Sequence, residues 1–65
     1  MNAGDIVILG GDARLIVSSK AMGTDTMEVV LSNGDQWSLN TKSGLGRQMN
    51  DNAAKHWPLV TWFSI

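Results

Sequence analysis

Short apolar, β-prone runs broken by glycine-rich turns about every ten residues limit this chain to very few folds. Ile6-Val7-Ile8-Leu9 is entered through Gly4-Asp5 and stopped by Gly10-Gly11-Asp12. Leu15-Ile16-Val17 follows, trailing through Ser18-Ser19-Lys20-Ala21-Met22 into a turn-prone Gly23-Thr24-Asp25. Met27 to Leu31 is the third run, Trp37 to Thr41 the fourth and Leu59 to Ile65 the last. Runs of β-branched and aromatic residues with this punctuation mark a small sandwich or barrel. The expected class is mostly β.

Length narrows the choice further. Sixty-five residues make one domain, 1–65, with no room for a second. A chain this short buries only about 60% of its unfolded surface. The usual staples are missing: there is no cysteine for disulfides, and His56 is the only histidine, which leaves no zinc site. Stability must come from an apolar core, extended if needed by self-association. With 43% hydrophobic and 17% charged residues the chain is too apolar for disorder.

The third and fourth runs fix a register between them. Met27, Val29 and Leu31 share one face, and Trp37 and Leu39 share another. A two-residue Asn33-Gly34 turn would set Val30 against Trp37, opposing an apolar set with a polar one. A three-residue loop, Ser32-Asn33-Gly34, instead pairs Val29 with Trp37 and Met27 with Leu39. Gly34 then takes the left-handed position of a bulge that a residue without Cβ occupies readily. Burial selects the three-residue loop.

The segment between the fourth and last runs differs. Thr41 to Gly46 reads as a loop. Arg47 to His56 has no β-branched residue, so one or two helical turns or an ordered loop fit it equally. Pro58 returns the chain to an extended state, because the residue before proline avoids the helical region. The last run is then expected to close the sheet against the first. Within it, inward Leu59, Phe63 and Ile65 would leave Val60 and Trp62 facing outward.

Five strands with an irregular excursion before the fifth resemble an SH3-like barrel. The opening Gly4-Asp5-Ile6-Val7 through Gly10-Gly11 resembles the start of KOW-like and Tudor-like barrels. With Ile16-Val17 it is also similar to the start of the YodC-like small bacterial proteins. That second likeness covers about the first 17 residues, and Asp12 stands where the family has proline. The resemblance implies a small barrel and little about activity.

Chemistry finds few footholds. Asp5, Asp12, Asp25 and Asp35 all sit at turns, where carboxylates bond to nearby amides. No serine lies in a nucleophile elbow, and a barrel this small has little room for a water-excluded pocket. The expectation is no enzyme, no cofactor and no metal. Gly10-Gly11-Asp12 would repel phosphate through its aspartate. Gly44-Leu45-Gly46-Arg47 could cradle an anion only if a helix followed.

Charge is unevenly divided. Residues 1–41 hold Arg14 and Lys20 against Asp5, Asp12, Asp25, Glu28 and Asp35, a balance of −3. Residues 42–65 hold Lys42, Arg47 and Lys55 against Asp51, a balance of +2. A basic segment beside Trp57 offers a nucleic-acid reading: the cations track a backbone and the ring stacks on a base. The net charge of −1 opposes it, since phosphate neutralisation supplies most of such affinity.

The tryptophans carry the leading reading. Trp37 falls on the inward face, whereas Trp57 and Trp62 are either both core or one of them at an interface. An exposed tryptophan is an interaction anchor, offering large rigid contact at low entropic cost. The expected function is a non-enzymatic interaction module that binds a protein partner or its own copy through Trp57, Trp62 and Val60. Small bacterial and phage chains of this size commonly act as adaptors or inhibitors, an expectation from size alone. The alternative is a nucleic-acid-associated barrel using Lys42, Arg47, Lys55 and Trp57. No run approaches the 18 apolar residues of a membrane span, and the N-terminus lacks the basic stretch of a signal peptide, so no membrane partner and a cytoplasmic location are expected.

Overall fold

A computed structural model describes residues 1–49 and 56–64, with the backbone alone described for 56–60. Every regular element in it is a strand: β1 (Ile6–Leu9), β2 (Asp12–Ala21), β3 (Thr26–Leu31), β4 (Gln36–Asn40), β5 (Leu45–Gln48) and β6 (His56–Phe63). Each strand pairs antiparallel with its neighbour in sequence, and β6 returns to β1, so the sheet closes into a barrel. Closure removes the free edge through which open sheets associate. Mostly β and the closing contact agree with the sequence; the count of five strands does not.

The turns follow from local chemistry. Gly10 and Gly11 have φ of 56° and 87°, the two positive values that a tight turn between twisted strands demands. The β3–β4 loop is the three-residue one, with Val29 opposite Trp37, Met27 opposite Leu39 and Gly34 at φ 91°. Its backbone is held by the Gly34 amide donating to the Leu31 carbonyl at 2.9 Å. The Asp35 amide donates to Asn33 Oδ1 at 3.0 Å.

β2 is the corner of the barrel. Its first half pairs with β1, from Asp12 opposite Leu9 to Leu15 opposite Ile6. Its second half pairs with β3, and the register slips between Ile16 and Ser18. Val17 is the extra residue of that bulge, which bends the strand from one side of the barrel to the other.

Seven side chains form the core among the described residues: Val7, Leu9, Ile16, Val29, Leu31, Trp37 and Leu39, with Met1 and Met27 packed against it. Asp5 is also buried, and its role is structural: its carboxylate accepts from the Asn2 amide at 2.9 Å. The other turn aspartates act differently. Asp35 accepts from the Asn33 side-chain amide, Asp12 faces Arg14 at 3.5 Å, and Asp25 uses its backbone carbonyl to hold Thr41.

The excursion after β4 contains a strand that the sequence does not advertise. Residues 45–48 form β5, where loop and then helix-or-loop were expected, paired with β4 from Asn40 opposite Leu45 to Trp37 opposite Gln48. Its inward residues are Gly46 and Gln48, neither of them β-prone. Gly46 is there because of space. A Cβ on it would lie 3.0 Å from Leu39 Cδ2, 3.1 Å from Leu9 Cδ2 and 3.3 Å from Trp37 Cε3. The remaining part of the helix-or-loop expectation, residues 50–55, lies outside the described residues.

Candidate interaction surface

The Thr41–Gly44 turn between β4 and β5 is built by one side chain. Asn40 Oδ1 accepts the amides of Lys42 at 3.0 Å and Ser43 at 2.8 Å, while the Gly44 amide donates to the Asn40 carbonyl. The turn carries Lys42 exposed at its tip, and β5 carries Arg47 exposed beyond it. Both cations of the nucleic-acid reading that can be located thus belong to one hairpin. The Thr41 amide and hydroxyl both donate to the Asp25 carbonyl, which ties this turn to the β2–β3 turn. Lys55 lies outside the described residues. Because Arg47 sits within a strand, the anion cradle that 44–47 could form only ahead of a helix has no helix start to build it.

Register sorts the rest of the exterior. Directly opposed residues of antiparallel strands share a face. Lys20, Glu28, Ser38 and Arg47 are opposed in succession across β2, β3, β4 and β5, forming a polar outer row. Beside this row a surface cavity of about 280 Å³ is lined by Ser18, Lys20, Glu28, Val30, Gln36 and Met49, among others. Among the described residues no group of three histidine, cysteine or acidic side chains is placed to hold a metal. No helix among them is long and apolar enough to cross a membrane.

The closing strand corrects the expected orientation of its aromatics. Trp62 is opposite Val7, a fully buried residue, and Phe63 is opposite Ile6. Trp62 therefore lies on the inner face, where it still keeps 38% of its surface exposed, and Phe63 faces outward at 50%. The sequence offered the reverse, because every position from Leu59 to Phe63 except Thr61 is apolar and alternation carries no signal there. A register break between Ile8 and Leu9 places Thr61 opposite Ile8 and Leu59 opposite Leu9. Trp57 stands opposite Gly46. The side chains of Trp57 and Val60 lie outside the described residues.

Fold and surface together define the class: a small, all-strand, closed antiparallel barrel with aromatic residues exposed on its closing strand. No family model matches the chain, and neither a curated protein nor a solved structure matches it. The likeness to the YodC-like proteins rests on residues 4–17 alone.

Proposed function

We propose that this chain is a non-enzymatic interaction module on an SH3-like small-barrel plan, binding a protein partner through the aromatic closing strand. The observation that supports it is Trp62, more than a third exposed although register sets it on the inner face. A ring in that position forms part of the barrel wall and still offers surface to a partner. Trp57 and Val60, on the same strand, complete the proposed patch. Aromatic anchors of this kind commonly cost about 2 kcal/mol or more of binding when truncated. The test is capture from the native cell with wild type, Trp57→Ala and Trp62→Ala. A partner held by wild type and lost with either alanine variant, each shown to be folded, supports the module. Undiminished capture by both variants refutes it.

A second reading is favoured by Lys42 and Arg47 sharing the β4–β5 hairpin, with Lys55 and Trp57 following in sequence. It predicts binding of single-stranded RNA or DNA that weakens steeply with salt, since each neutralised phosphate releases counterions. Salt-independent binding, or none at low salt, removes it.

A further inference from the structure

Of the five asparagines in the chain, Asn33 alone is followed by glycine. That dipeptide is the one most open to spontaneous loss of the side-chain amide, because a following residue without Cβ leaves its backbone nitrogen unshielded. Asn33 is exposed at the tip of the β3–β4 loop, and nothing crowds the step: a Cβ built on Gly34 meets no atom within 4 Å. Hydrogen bonds hold the reacting groups instead. The attacking nitrogen, Gly34 N, donates to the Leu31 carbonyl at 2.9 Å. The carbon it must reach belongs to a side chain held by both of its polar atoms. Asn33 Oδ1 accepts the Asp35 amide at 3.0 Å, and Asn33 Nδ2 donates to Asp35 Oδ2 at 3.1 Å. The loop itself is clamped by the Leu31 amide donating to the Asp35 carbonyl and the Ser32 amide to the Leu15 carbonyl, each at 2.9 Å.

We infer that Asn33 is a deamidation site gated by its own loop, reacting only while the β3–β4 loop is open. In the closed loop the Gly34 proton faces a carbonyl, which cannot take it, so the nitrogen stays a poor nucleophile. One contact works the other way: the Asp35 amide on Oδ1 would stabilise negative charge developing there. It acts only once the nitrogen can attack, so the bond to Leu31 decides. After opening, water or hydroxide removes the Gly34 proton, the nitrogen bonds to Asn33 Cγ and the side-chain nitrogen leaves as ammonia. Water then adds to either carbonyl of the five-membered imide, leaving an aspartyl or an isoaspartyl residue at position 33. Either product weakens the loop. An aspartyl carboxylate would stand against the Asp35 carboxylate where an amide now donates, and like charges in contact repel. An isoaspartyl linkage adds a backbone atom to a three-residue loop whose length sets Val29 against Trp37. Modified copies should therefore open more readily than fresh ones. This site is independent of both proposed binding surfaces.

The test incubates the full chain in mildly alkaline buffer, folded and in denaturing guanidinium chloride, with tryptophan fluorescence reporting which samples are folded. Position 33 is followed by peptide mapping in the mass spectrometer and by an isoaspartyl assay. Ammonia loss should be at least about tenfold slower in the folded chain, since only its open fraction reacts. Asp35→Ala releases Asn33 Nδ2 and keeps the backbone bonds of the loop. It should raise the folded rate about threefold or more and leave the denatured rate unchanged. Denaturant added well below the unfolding transition should leave the folded rate flat, because opening one loop exposes little surface. Equal rates in the folded and denatured chains, or no reaction at position 33 in the denatured one, overturn the inference. So does a folded rate that climbs steeply with denaturant, which would route the reaction through global unfolding. A folded rate that is unchanged or slower in Asp35→Ala overturns it as well.

Discussion

The two exteriors of this barrel enclose one core and are built on opposite rules. Across β2–β5 the outward row runs Lys20, Glu28, Ser38, Arg47; across β2, β1 and β6 it runs Leu15, Ile6, Phe63. The first alternates strictly with the buried row Val29, Trp37, Gln48, as a sheet with one wet face should. The second shows no such alternation in β1, which is apolar from Ile6 to Leu9. Outward apolar residues carry a cost in solubility, and this side shows three of them, Leu15, Val17 and Phe63. The bulge at Val17 is the boundary between the two regimes, where one strand passes from the apolar side to the polar one.

The sharpest way to break the comparison is through the shared core. Deleting Asn33 alone shifts β3 against β4 by one residue and turns Trp37 and Leu39 outward. The expected result is loss of the folded state, seen as collapse of amide dispersion in NMR spectra, whereas removing two loop residues keeps the facing intact. Leu39→Ala should destabilise by about 2–5 kcal/mol in urea melts, because Leu39 is fully buried and its neighbours are fixed by closure. Gly46→Val comes next, at about 1–3 kcal/mol, since its Cβ meets Leu39, Leu9 and Trp37 at 3.0–3.3 Å. On both exteriors the effects should be small. Glu28→Gln should change stability by no more than about 0.5 kcal/mol. Leu15→Glu should be equally mild, since Leu15 is already 37% exposed.

What could be read from the sequence tracks how much contrast the two faces of a strand present. β3 and β4 have apolar residues at every second position, so their register and loop length followed from parity alone. β5 carries no sequence signal because its inward positions hold glycine, needed for close approach, and glutamine, opposite Trp37. No β-propensity marks them. Phe63 and Trp62 face opposite to the expectation from sequence because Leu59 to Phe63 is apolar except at Thr61 and offers too little parity to read; β1 decides instead, by where its own buried residues fall. Of the candidate residues, Lys42 and Arg47 were legible as exposed cations, but their union on one hairpin depends on the hidden strand. The apolar exterior was partly visible too, in the uninterrupted Ile6–Leu9 run.

Closure gives the chain an additional property. The five hairpin contacts are local in sequence, and the pairing of Ile6 with Phe63 alone spans nearly the whole chain. The strands therefore form a cycle in which no ladder is first or last. A chain reopened at the Ser32–Gly34 loop, with the two ends of the present sequence joined by a short glycine linker, would contain the same six ladders. It would differ in which contact is made last during folding, because the β3–β4 pairing would become the distant one.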